Sequence, residues 1–197
     1  MHILMISGEP VLCKGMMMFD DSNFWNIRDD LKGRPLNELQ SIQKARSLPF
    51  AVAAINVTGD LNMGIMMRTA SIMGASDFYI FGRRKYDKRS AVGAQNYINL
   101  QRVAAVDDDG NVNYDIVLST IQQNWTPVFV EQGGRDVRDM IWPDKPCIIM
   151  GNEATGIPIE ICSQYDTVSI RQRGIMRSLN VSTACGIICD HLSYILS

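Results

Sequence analysis

Hydrophobic residues along this chain fall into short blocks with two different periods. Phe50 to Val57, bounded by Pro49 and Gly59, is apolar apart from Asn56, which fits a strand buried on both faces as in a parallel sheet. Asp77 to Phe81, Thr126 to Val130, Pro146 to Met150 and Thr167 to Ile170 are shorter runs of the same kind. Between them the period lengthens. Asn37 to Arg46 has helix composition and is stopped by Leu48-Pro49. Met63 to Met73 places Ile65, Met66, Thr69, Ile72 and Met73 on one predicted stripe before Gly74. Tyr114 to Gln123 and the short stretch Ile157 to Gln164 also read as helical. From Ser178 onward, Leu179, Ala184, Ile188, Leu192 and Ile195 recur at helical spacing to the end. Strands alternating with helices predict an α/β fold, a parallel sheet with helices on both faces.

A length of 197 residues and a hydrophobic content of 46% suit one generous domain. We expect an N-terminal extension over 1–49, irregular through 1–34, followed by a single domain over 50–197. No stretch reaches the length of an apolar membrane span, and no basic segment precedes a signal-like run, so neither secretion nor membrane insertion is expected and a cytoplasmic location is. The net charge of −2 supplies no global attraction to nucleic acid, so any such binding must come from local clusters. One cluster exists: Gly82 is followed by Arg83, Arg84, Lys85, Tyr86, Asp87, Lys88 and Arg89. It follows a predicted strand, at the edge where open α/β sheets bind ligands, which makes Arg83, Arg84, Lys85 and Arg89 candidate phosphate contacts. Five cysteines stand at 13, 147, 162, 185 and 189 without metal-ligand spacing, so they read as reduced and no metal is expected.

Three polar strings interrupt the apolar pattern where strands end or helices begin. Asn62-Met63-Gly64-Ile65-Met66-Met67-Arg68-Thr69 opens the second predicted helix and carries Arg68 among apolar neighbours. Met150-Gly151-Asn152-Glu153-Ala154-Thr155-Gly156 follows a strand, with Gly151 placed for close backbone approach to a ligand and Gly156 for a turn. Ser178-Leu179-Asn180-Val181-Ser182 opens the last helix, whose free backbone donors suit an electron-rich group. Their order and spacing resemble the three motifs of the SpoU family of RNA ribose 2′-O-methyltransferases, over roughly residues 50–196. Ser90-Ala91-Val92-Gly93-Ala94 is similar to a further element common in that family.

The resemblance implies a C-terminal deep trefoil knot, S-adenosyl-L-methionine as methyl donor, an RNA substrate (tRNA or rRNA) and a homodimer whose site is completed across the interface. It makes Arg68 catalytic, with Asn62, Glu153, Ser178 and Asn180 completing the polar wall. Alkoxide stabilisation or phosphate positioning suits an arginine better than a base role. Glu153 would hold Arg68 or another donor of the site. The donor would lie against Val130, Glu131, Met150, Gly151, Ile170, Ser178 and Leu179. One departure stands out: Arg171-Gln172 occupies the place of the family's usual Pro-Met. Two alternatives compete, a catalytically inactive RNA-binding protein of the same fold and an unrelated nucleotide-binding enzyme. Retention of all five polar positions disfavours the first. No Gly-x-x-x-x-Gly-Lys or Gly-x-Gly-x-x-Gly loop supports the second.

Overall fold

The computed structural model describes residues 26–197, so the irregular arm expected over 1–34, and Cys13 with it, lies mostly outside the described residues. Six strands, β1 (Leu48–Ile55), β2 (Ala75–Phe81), β3 (Asn99–Val103), β4 (Thr126–Asp136), β5 (Pro146–Met150) and β6 (Thr167–Ser169), form one sheet. Their order is β3-β2-β1-β5-β4-β6, and every neighbouring pair is parallel. The helices are α1 (Leu36–Ala45), α2 (Asp60–Ile72), α3 (Lys88–Ala91), α4 (Tyr114–Ile121), α5 (Ile159–Cys162) and α6 (Val181–Leu196).

Alternation along the strands divides the interior into two cores. Phe50, Val52 and Ala54 of β1 pack, with Phe78, Ile80 and Ile148, against Met63, Met66, Met67 and Ala70 of α2 and Cys185, Ile188 and Leu192 of α6. Ala51, Ala53 and Ile55 point the other way, with Tyr79, Phe81 and Ile149, against Val117, Leu118 and Ile121 of α4. A slip of one residue would exchange the two sets, so burial of both faces pins the register. On α6, Cys185 and Cys189 are free thiols one turn apart, with their sulfurs 3.8 Å from each other.

Several elements depart from the pattern reading, each for a local reason. α2 begins at Asp60 and buries Met63, Gly64, Met66, Met67 and Ala70, whereas Ile65 and Ile72 are 41% and 69% exposed. Apolar residues lie all round this helix, so periodicity alone does not choose a face; the unbranched methionines fill the core. α6 begins at Val181 with Asn180 as its N-cap, which leaves Ser178 outside the helix. Its buried stripe is Cys185, Ile188, Cys189 and Leu192, while Leu179 and Ile195 stay partly in solvent. β4 runs on past Val130 to Asp136, because after an irregularity at the glycine pair Arg135 and Asp136 rejoin Val168 and Ser169 of β6. β3 was not anticipated.

Candidate functional site

In a parallel sheet the carboxyl ends of all strands lie at one edge, and here that edge collects the polar strings. Ala54 of β1 is level with Met150 of β5, and Met150 with Val130 of β4, so the segments that follow start side by side. Out of β1 come Thr58 and Gly59, leading into α2; out of β5 comes the 151–157 turn; out of β6 comes a segment ending in Asn180 and α6.

Glu153 is the junction of these segments. One carboxylate oxygen accepts the Thr58 main-chain N–H at 2.8 Å and the Thr58 hydroxyl at 2.9 Å. The other accepts the Gly59 N–H at 3.0 Å and the Asn62 side-chain amide at 2.9 Å. Gly59 is the N-cap of α2 and has no side chain to cap with, so Glu153 supplies an acceptor to that helix start from another loop. Asn62 then presents its oxygen to the Asn180 side-chain amide at 3.1 Å, and the Asn180 oxygen accepts from Ser182 N–H at 2.9 Å and Thr183 N–H at 3.3 Å. Each amide orientation is fixed by its neighbour, because Glu153 can only accept here and helix N–H groups can only donate. Partial burial acts to raise the Glu153 carboxyl, but the Asn62 amide and the N–H groups of Thr58 and Gly59 outweigh it and hold the group at about 2. A carboxylate so acidic is a poor base near neutral pH; it positions Asn62 and the α2 start.

The 151–157 turn is closed by its own contacts. Asn152 donates to Asn56 O at 2.8 Å and accepts from Ala154 N–H and Thr155 N–H at 2.9 and 3.1 Å. Gly156 has a left-handed φ of +65°, and the Glu131 carboxylate beside it accepts the Ile157 N–H at 3.0 Å. A Cβ on Gly151 would lie 2.7 Å from Ile157 and 3.0 Å from the Gly156 main chain. The missing side chain of Gly151 therefore makes room for the closing of its own loop.

Asn62, Glu153 and Asn180 thus come together, and Arg68 and Ser178 do not join them. Arg68 is exposed and, among the described residues, no hydrogen bond or ion pair reaches its guanidinium. Six residues beyond Asn62, it stands about 120° round the helix, between the exposed Ile65 and Ile72. Glu153 holds Asn62, not Arg68. Ser178 is exposed in the segment before α6. In the basic loop, Arg84 donates to Thr58 O at 3.1 Å, tying the loop to the site, while Arg83 pairs with Asp108 and Arg89 with Asp87 at 2.8 Å. Lys85 is exposed. Thr58, Gly59 and Asn152 were missed by sequence reasoning. The first two act mainly through main-chain groups, which carry no residue-type signal.

The residues expected to hold the methyl donor lie at the ends of β4, β5 and β6 and, for Ser178 and Leu179, just before α6. Met150 is buried and can offer only main-chain groups, while Val130 and Ile170 are half-buried and Leu179 is 39% exposed. Strand-end amides and carbonyls beside aliphatic side chains are the donor set that an adenine and its ribose require, so these residues fit that group. The Glu131 carboxylate is taken up by the Ile157 N–H of the neighbouring turn.

A family model described as the SpoU rRNA Methylase family matches residues 49–190. Mouse tRNA (guanosine(18)-2′-O)-methyltransferase TARBP1 is 27% identical over 163 residues, 77% of this chain and 10% of that one. The tRNA (guanosine(18)-2′-O)-methyltransferase of Saccharomyces cerevisiae is 24% identical over 192 residues, 93% of this chain and 13% of that one. The chain therefore spans only about a tenth of the length of these two relatives. Among solved structures, the Aquifex aeolicus TrmH/SpoU tRNA modifying enzyme superposes with a TM-score of 0.66 at 22% identity, covering 81% of each chain. The SpoU methyltransferase AviRb of Streptomyces viridochromogenes, solved with AdoMet, gives 0.63 at 22% identity over 75% of this chain and 58% of its own. With the matched region taking in the sheet and the Asn62–Glu153–Asn180 junction, this chain belongs to the SpoU rRNA methylase family.

Proposed function

We propose that the chain transfers a methyl group from S-adenosylmethionine to a ribose 2′-hydroxyl of RNA, with tRNA the first substrate to test and rRNA the second. The observation that carries this reading is the hydrogen-bonded chain from Glu153 through Asn62 to Asn180, which joins all three motif segments at one edge of the sheet. When bound, the cofactor supplies an electrophilic methyl group. The protein holds the ribose beside the Asn62–Asn180 wall, aligns it through the α2 start that Glu153 clamps, and neutralises charge growing on the 2′-oxygen. The names of the mouse and yeast relatives support tRNA, and a cytoplasmic location goes with that substrate.

The neutralising group in this reading is Arg68, delivered by a second copy of the chain. Within one chain it points away from Asn62, on a stripe with Leu61, Ile65 and Ile72 that is apolar and exposed by 53%, 41% and 69%. Such a stripe supports burial against a partner, and a two-fold pairing would bring the partner's guanidinium to each site. The division into a 1–49 extension and a 50–197 catalytic domain belongs to the same proposal, as does the knotted C-terminal path. The chain leaves β6 at the sheet edge yet returns in α6 to pack on α2 and β1, which is in keeping with such a path. The basic loop supplies phosphate contacts next to the site through Arg84, Lys85 and, once released from their carboxylates, Arg83 and Arg89.

Single-turnover transfer to tRNA and rRNA, with donor affinity measured by calorimetry, tests the reading. Arg68→Ala should lose about a hundredfold or more in transfer with donor affinity retained. Mixing inactive Arg68→Ala and Asn62→Ala chains should restore about a quarter of wild-type activity, since one site in each mixed dimer is whole. Transfer by Arg68→Ala at the wild-type rate would remove Arg68 from the chemistry. Failure of the wild type to methylate either RNA would end the enzyme reading.

A further inference from the structure

Residues 171–180 cross from β6 to α6 entirely in solvent, and the apolar side chains in the middle anchor nothing: Ile175 is fully exposed and Met176 78% exposed. Polar contacts near the two ends hold the segment to the extension of β4. At its start, Arg171 Nε lies 3.0 Å from Asp136 Oδ2 and Arg171 Nη2 lies 3.2 Å from Asp139 Oδ2. Toward its end, the Gln132 side-chain amide donates to Arg177 O at 2.9 Å. The β4 extension is itself fastened to β6: Val137 N–H donates to Ser169 O at 2.8 Å and the Ser169 hydroxyl to Gly134 O at 2.7 Å.

Surface ion pairs are usually weak because water and salt screen both partners. This one differs at the carboxylate end. The Asp136 side chain is only 8% exposed and is fixed by Arg138 N–H at 3.0 Å, so its charge is poorly screened and does not wander. One guanidinium reaches two carboxylates at once, by a hydrogen bond to Asp139 and by charge to Asp136 Oδ2, a span that a single ammonium does not match.

We propose that Arg171 is a positioning residue of the methyl-donor site, acting through Asp136 and Asp139 to hold the 170–180 segment on the β4 extension. Ile170 and Leu179 stand at the two ends of that segment, and Val130 lies at the root of the extension, so the ion pair sets the spacing of the aliphatic groups assigned to the donor. The proposal rests on the methyltransferase reading.

The test has a readout that needs no ligand. Trypsin cleavage after Arg173 and Arg177, sites that every variant keeps, is followed in the full-length protein alongside calorimetry with S-adenosylhomocysteine. Arg171→Ala should be cut about fivefold faster or more, bind the ligand about three- to tenfold more weakly, and raise the KM for the donor by more than it lowers kcat. Arg171→Lys should restore little. The exchange of Arg171→Asp with Asp139→Arg should slow cleavage again relative to Arg171→Asp alone. Wild-type cleavage in Arg171→Ala overturns the ion-pair anchor. Faster cleavage with unchanged ligand affinity overturns the role in donor binding. If the wild type binds no S-adenosylhomocysteine, the donor role falls together with the methyltransferase reading, and the proteolysis arm still decides the anchor.

Discussion

Glu153 keeps its charge deep into acid, and the main-chain donors that keep it there make the loop before α2 dependent on pH. Folding lowers its pKa from an ordinary 4.5 to about 2. Its contribution to stability is therefore complete above about 4.5, declines as pH falls from there, and is gone below about 2. Denaturant unfolding at stepped pH should show Glu153→Gln less stable than wild type at neutral pH, with the two converging toward pH 2. A constant gap across that range would mean that the Gln cost is steric and the charge irrelevant. Asn62, Glu153 and Asn180 were legible through the motif strings that resemble the family's, and their side chains make the contacts. Thr58 and Gly59 act mainly as N–H groups, and Arg68 stands apart from the junction for a reason of helical angle that residue identity does not convey.

Among the elements, the contact of α2 with α3 explains the middle residue of the first polar string. A Cβ on Gly64 would run into the Ser90 hydroxyl and come within 2.7 Å of Asp87 O and 2.9 Å of Ala91 N. The hydroxyl could rotate away; the two main-chain atoms could not. Gly64→Ala should destabilise the protein by about 1–3 kcal/mol, read as a lowered Tm, and removing the hydroxyl with Ser90→Ala should not restore it. Full recovery in the double variant would show that only the side chain was in the way. Pattern reading located β1, β2 and β5 within two residues at either end, because central strands buried on both faces are apolar runs. It passed over β3, whose sequence Asn99-Leu100-Gln101-Arg102-Val103 is that of a sheet edge wetted on its outer side. It cut β4 short at Gly133-Gly134, where glycines usually signal a turn but here allow the strand to buckle and rejoin β6.

At the scale of the whole molecule, alternation of strands and helices was enough to give a parallel sheet covered on both faces, while the strand order was not legible, since it depends on crossovers that no local period encodes. The net charge of −2 also hides local compensation: Arg83 and Arg89, which counted toward a basic loop, each face an aspartate. The buried thiols described with α6 turn the protein into its own clock. Cys147 lies in the sheet and Cys185 and Cys189 on the inner face of the last helix, all fully buried. Contact with Cys185 and burial push the Cys189 thiol well up, and burial does the same to Cys147, so an alkylating reagent finds little thiolate until the structure opens. If α6 lifts from α2 as a unit, pulse labelling followed by mass spectrometry should mark Cys185 and Cys189 together and ahead of Cys147. Simultaneous marking of all three would mean that helix and sheet open as one. Because Asn180 caps α6, the same labelling interval would time how long the polar junction survives between openings.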